Sequence, residues 1–175
     1  MPNLDLLNWE KEKILITGHT GFKGSWLSIL LTNYGIDTSG LSLAPLNELN
    51  LFESANLKEK ISNSIISDIR DLSSLRKNIA LIKPSIIFHL AAQPLVIKSY
   101  SSPLETWQTN LIGTMNLLEA LKEEDIECIV IVITTDKVYK NLQNNKKFIE
   151  SDELGGLDPY SASKAATEIA VESWQ

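Results

Sequence analysis

The chain has 175 residues, 43% of them hydrophobic, with a formal net charge of -6 and a sequence pI near 5.0. That length supports one domain with a real core, taken as residues 1–175, and the acidic balance argues against a nucleic-acid or anionic-membrane surface. No apolar run approaches the ~20 residues of a membrane span, none at the N-terminus reads as a secretory signal, and Cys128 alone rules out an intrachain disulfide, so a cytoplasmic protein is expected.

Residues 1–12 read as an N-terminal extension that packs an edge of the domain, Trp9 included. Ile14-Leu15-Ile16 then predicts a short buried strand, and Trp26–Leu31 the helix after it. Between them stands Thr17-Gly18-His19-Thr20-Gly21-Phe22-Lys23-Gly24. Gly18 suits a tight reversal, Gly21 leaves room for a pyrophosphate, and Gly24 lets the helix pack close to the strand. The helix start would offer free N–H groups and a positive dipole end to phosphates. Spacing G-x-x-G-x-x-G without a terminal Gly-Lys-Ser/Thr argues against a nucleotide triphosphate.

Gly35 ends this helix and Ile36–Leu43 reads as the second strand. Its exit, Gly40-Leu41-Ser42-Leu43-Ala44-Pro45, lacks the acidic residue that often grips the ribose of NAD. It also lacks an Arg or Lys for a 2′-phosphate, which favours NAD over NADP. Residues 46–60 are expected to be irregular with a short helix, and Ser64–Ser67 to form the third strand. Asp68 with Ile69 at that exit suits an adenine, while Asp71 suits the cap of a helix with Leu72, Leu75, Ile79 and Ile82 on one stripe.

Lys83-Pro84 stops that helix, and residues 85–93 give the fourth strand and its exit. Ala91 and Ala92 there are small enough for a nicotinamide-ribose to pass, and His89 is read as a satisfied core histidine. The next helix begins near Pro103, with Leu104, Trp107, Leu111, Leu118 and Leu121 on one face and Asn110 as a buried hydrogen-bonding residue among them. Residues 127–134 form the fifth strand, where Cys128 is read as packed rather than reactive. Strands joined by helix-length connections spell a parallel, doubly wound α/β sheet.

In such sheets the ligand crevice lies beyond the carboxyl ends of the strands, which is where Thr134-Thr135-Asp136-Lys137 falls. Asp158-Pro159 opens the following helix as N-cap and first residue, placing Tyr160 and Lys164 four apart on one face. A free tyrosine ionises near ~10, so work as a base near neutrality needs about 4 kcal/mol of preferential phenolate stabilisation. A nearby ammonium is one source.

These motifs together resemble the extended short-chain dehydrogenases/reductases of the sugar-nucleotide epimerase and dehydratase family. The likeness rests on the glycine turn, Asp68-Ile69, Leu90-Ala91-Ala92-Gln93, Asn110, and Tyr160 with Lys164. Gly18–Trp26, His89–Val96 and Thr135-Asp136-Lys137 with Tyr139 place the likeness in its CDP-glucose 4,6-dehydratase branch, where Lys137 replaces a glutamate usual in other branches. The resemblance implies a Rossmann-type sheet truncated before its last strands and the substrate-binding region, and a homodimer in the full-length protein through helices near 103–122 and 159–175. It implies NAD held by Gly18, Thr20, Gly21, Phe22, Lys23, Gly24, Asp68, Ile69, Leu90, Ala91, Ala92, Gln93, Asn110, Thr134, Tyr160 and Lys164, with no metal. The implied substrate is CDP-glucose. Tyr160, activated by Lys164, takes the C4 hydroxyl proton, Thr135 bonds the same oxygen, and Asp136 protonates the leaving C6 hydroxyl. Lys137 either removes the C5 proton or stabilises the enolate. The 175 residues alone are expected to lack turnover. Two other readings stand beside this: an epimerase or reductase, which needs no Asp136–Lys137 pair, and a non-catalytic NAD-binding module.

Overall fold

The computed structural model describes residue 9, residues 11–141 and residues 147–174. Five strands form one parallel sheet: β1 (Lys13–Thr17), β2 (Asp37–Ser42), β3 (Asn63–Ile66), β4 (Ile86–His89) and β5 (Ile129–Val132), in the order β3-β2-β1-β4-β5. The order reverses direction at β1, the topological switch point of a doubly wound sheet. In register, Leu15 lies beside Ser39 and Ile87, and Thr17 beside Leu41 and His89.

Alternation along β1 builds two cores. Leu15 points to one face and joins Leu41, Ile69, Leu75, Ile79, Ile87, Leu117 and Leu121. These come partly from α3 (Leu72–Ile82) and the helix ending in α6 (Gly113–Glu123). Ile14 and Ile16 point to the other face, with Leu31 of α1 (Phe22–Asn33), Ile36 and Ile86. Trp9 packs on this second core, its ring 6.4 Å from that of Phe88. The rest of the expected extension, residues 1–8 and 10, lies outside the described residues.

Gly35, at φ +71°, reverses the chain after α1 as expected. Asn50 caps the short α2 (Leu51–Ser54). Asp71 caps α3 by accepting from the Ser74 N–H at 3.0 Å.

The segment after β4 departs from the sequence reading. A helix not foreseen, α4 (Val96–Ser101), precedes Pro103, and the rod that follows is not uniform. It runs as α5 (Pro103–Trp107), a π-helical turn (Gln108–Ile112) and α6. The expected stripe of Leu104, Trp107, Leu111, Leu118 and Leu121 is corrected in its first part: Leu104 is 68% exposed and Trp107 and Leu111 are half-buried, while Thr106, Asn110, Gly113, Thr114, Leu117, Leu118, Ala120 and Leu121 are buried. A π turn inserts an extra residue into the helical repeat, so a 3.6-residue pattern read through it loses phase.

β5 is shorter than expected and stands at the sheet's edge, with Ile129 62% exposed. Cys128 is half-buried against the first core, and burial pushes its thiol up. The last helix is α7 (Pro159–Glu172). Among the described residues no helix is long and apolar enough to cross a membrane.

Candidate active site

Gly18 sits at φ +79°, and a Cβ there would lie 2.8 Å from the Ala91 nitrogen. The glycine turn therefore rests directly on the exit of β4. Gly24 packs closely too, but against the turn rather than the strand: its Cβ would stand 2.2 Å from the Gly18 carbonyl oxygen. Gly21 caps α1 with no side-chain hydrogen bond, leaving the first-turn N–H groups to the space beyond the strand ends. Phe22 and Lys23 are exposed there, while the Thr20 hydroxyl donates to the Leu43 carbonyl at 2.8 Å.

His19, given no role by the sequence reading, is fully buried beneath the turn. Its Nδ1 lies 3.1 Å from the Ser42 hydroxyl and its Nε2 3.0 Å from that of Ser64, so one ring joins the ends of β1, β2 and β3. Phe52 meets the ring edge-on at 5.2 Å. Burial pushes its pKa down to about 4, keeping it neutral. A Cβ on Gly40 would overlap the ring at 2.2 Å. That glycine inside a strand was the available signal, since it marks a close approach.

The second buried histidine fixes the β4 exit. Thr114 Oγ1 donates to the Asn110 carbonyl (2.7 Å), so it accepts from His89 Nε2–H (2.9 Å). Nδ1 is then the acceptor for the Thr17 hydroxyl (2.7 Å), which in turn accepts the Ala91 N–H (3.2 Å). Desolvation pushes His89 down to about 3, with the Lys164 charge acting the same way, so the neutral tautomer that this chain requires is the one present. It is a satisfied core histidine, as read.

Asn110 joins that exit to α7. Its Oδ1 accepts the Gln93 N–H at 2.8 Å, and its Nδ2 donates to the Gln93 carbonyl and to Ser163 Oγ, at 3.2 and 2.9 Å. Ser163 Oγ donates onward to the Tyr160 carbonyl at 2.7 Å. The Gln93 side chain is engaged in the loop itself, donating to Thr106 Oγ1 and accepting from the Leu95 N–H. Leu90, Ala91 and Ala92 stay half-exposed beside it.

On α7 a capping box holds the start: Asp158 accepts from the Tyr160 and Ser161 N–H groups, at 3.0 Å each. Tyr160 is half-exposed one turn before Lys164, whose side chain is only 3% exposed as a residue. Lys164 Nζ donates to the Ile133 carbonyl at 3.0 Å. Burial pushes its pKa down to about 8, Glu168 opposes this, and Lys23 of the glycine turn adds to it. At the β5 exit, Thr134 donates to Glu168 at 2.5 Å, and Thr135 caps a short 3-10 turn, Asp136–Val138, with Asp136 and Lys137 exposed.

At the far end of the crevice, Arg70 pairs with Asp68 at 2.6 Å and holds its carboxylate below the usual range. Ile69 turns inward instead of flanking an open surface: it is 4% exposed and lies over Gly113, where a Cβ would meet it at 2.6 Å. Its carbonyl accepts from Asn116 Nδ2 at 3.2 Å.

A family model described as GDP-mannose 4,6 dehydratase matches residues 15–175. Over 167 residues the chain is 44% identical to CDP-glucose 4,6-dehydratase of Salmonella typhimurium, covering 95% of this chain and 46% of that protein. It is 30% identical to CDP-paratose 2-epimerase of Salmonella typhi, covering 89% and 51%. UDP-glucose 4-epimerase from Thermus thermophilus, solved in complex with NAD, aligns with a TM-score of 0.80 and 26% identity over 93% of this chain and 50% of that one. The chain spans about half the length of the curated relatives it matches.

Proposed function

The chain belongs to the GDP-mannose 4,6 dehydratase family, and on that premise we propose that it is the NAD-holding, catalytic half of a nucleotide-sugar 4,6-dehydratase whose substrate is CDP-glucose. The observation that carries the reading is the join of α7 to the β5 exit. Lys164 bonds Ile133 directly before Thr134-Thr135-Asp136-Lys137, with Tyr160 one turn away. The 44% identity to a CDP-glucose 4,6-dehydratase supports the sugar nucleotide.

The residues fit a dinucleotide. The uncapped start of α1 suits its diphosphate, the half-exposed alanines leave a flat floor, and Asp68 keeps an ionised carboxylate for an amino group on the base. Held there, NAD would supply the hydride acceptor for oxidation at the sugar's C4 and the hydride donor for reduction at C6. Tyr160 removes the C4 hydroxyl proton, with the Lys164 ammonium stabilising the phenolate. Thr135 orients the same oxygen. Once C4 is a ketone the C5 hydrogen is acidic, and Lys137 stands at the position to stabilise the enolate or take the proton. Asp136 delivers a proton to the departing C6 hydroxyl, and water leaves.

The test uses the full-length product of the gene encoding this chain, supplied with NAD and a panel of CDP-, dTDP-, GDP- and UDP-linked sugars. Appearance of the 4-keto product from CDP-glucose, read by its absorbance in alkali, is expected. Tyr160→Phe should lower turnover at least ~100-fold while NAD binding stays within a few-fold. Inversion at C4 without loss of water would overturn the reading in favour of an epimerase.

A further inference from the structure

Two side chains of α7, one helical turn apart, hold consecutive residues of the β5 exit. Lys164 Nζ donates to the Ile133 carbonyl at 3.0 Å, and Glu168 accepts the Thr134 hydroxyl at 2.5 Å. The pair fixes both the height and the rotation of α7 against the strand end that carries Thr135, Asp136 and Lys137. Glu168 touches none of the reacting positions, and no role has been given to it so far. Resting on the function proposed above, we propose that Glu168 is a positioning residue: anchored by Thr134, it keeps the Lys164 ammonium charged and aimed at the mouth of the strand ends.

Two physical arguments carry this. A buried ammonium loses its hydration, and one carbonyl bond does not replace it, so the charged form needs a counter-charge close by. Glu168 is the carboxylate on the same helical face. Left free, its side chain would turn toward water on the half-exposed flank of α7. The Thr134 hydroxyl prevents that by tying it back over the strand end.

The charged surroundings make the counter-charge necessary. From α1, Lys23 opposes a second positive charge at Lys164. From β4, His89 is neutral and offers none. Lys98 of α4 and Glu105 of α5 pair with one another at 3.0 Å. Asp136 and Lys137 of the short turn after β5 are exposed. Glu150 from the loop before α7, and Glu172 from α7 itself, line with Glu168 a cavity of about 360 Å³ between the β5 end and α7. Removing Glu168 takes away the carboxylate that favours the Lys164 charge and leaves Lys23 opposing it.

The experiment titrates the Lys164 side chain by nitrogen-15 NMR in this chain and in Glu168→Gln, which keeps the acceptor for Thr134 but removes the charge. The Lys164 midpoint should fall by about half a unit or more, and by less in Thr134→Val, where the carboxylate remains but is untied. In the full-length enzyme, the alkaline limb of kcat should move to lower pH in Glu168→Gln while KM for the sugar nucleotide holds. An unmoved Lys164 midpoint in a folded Glu168→Gln protein would overturn the proposal. Should that variant fail to fold, Thr134→Val and Glu168→Asp decide it by the same midpoint. The NMR result needs no catalysis, so a moved midpoint in a protein without dehydratase activity would sink the functional reading and leave the role of Glu168 standing.

Discussion

A single added methyl group separates Gly24 from Gly35. At Gly24 the new carbon would meet the backbone oxygen of Gly18 at 2.2 Å, and backbone cannot swing aside as a side chain can. Gly24→Ala should cost about 3 kcal/mol or more, read from urea unfolding midpoints. Gly35 has open space around it and only the left-handed φ of +71° to lose, so Gly35→Ala should cost about 1 kcal/mol. Equal costs would show that close packing at Gly24 is not what the position requires. The buried histidines act on pH instead. Both have pKa values below the 6.5 of an unfolded histidine, at about 4 for His19 and about 3 for His89. The unfolded chain therefore binds protons that the folded one refuses as pH falls from 6.5 toward 4. Stability is fully present above pH 6.5 and should decline by up to about 1.4 kcal/mol per histidine for each pH unit below it. Urea midpoints flat between pH 6.5 and 5 would contradict this.

At the scale of elements, the π turn is where sequence and structure part. A hydrophobic repeat carries no mark of one extra residue in a turn, so Leu104 read as core when Thr106 and Asn110 are the buried positions and Leu111 is only half-buried. Asn110 itself was legible, because a polar side chain among apolar ones must find partners. It finds the Gln93 backbone and Ser163, and Asn110→Ala would strand the Gln93 N–H and carbonyl while Ser163 keeps its bond to the Tyr160 carbonyl. A loss of about 3 kcal/mol is expected against about 1 for Ser163→Ala, measured by denaturant unfolding. The capped ends were legible for a different reason. Asp71 and Asp158 act within three residues of themselves, on chemistry that tertiary context does not alter. His19 was not, since its partners lie 23 and 45 positions away on other strands.

For the molecule as a whole, the apolar surface follows α4, α5 and α7: Ile97, Tyr100, Leu104 and Ile169 are all more than half exposed. Of these, Leu104 and Ile169 lie on the helices near 103–122 and 159–175 through which the family resemblance implies a dimer. Light scattering coupled to size exclusion should report a full-length dimer, and Leu104→Lys should shift it to monomer with unchanged circular dichroism. Parallel-sheet topology was readable from the order of its strands and their spacing. The facing of α3 was readable as well, with Leu75, Ile79 and Ile82 of its stripe buried, whereas that of the rod through the π turn was not. The contact between Gly18 and Ala91 bears on how such a molecule would use a dinucleotide. With main chain laid against main chain there, a dinucleotide held as proposed would have its phosphate end and its redox end on one shared floor, so a shift at one end would be felt at the other.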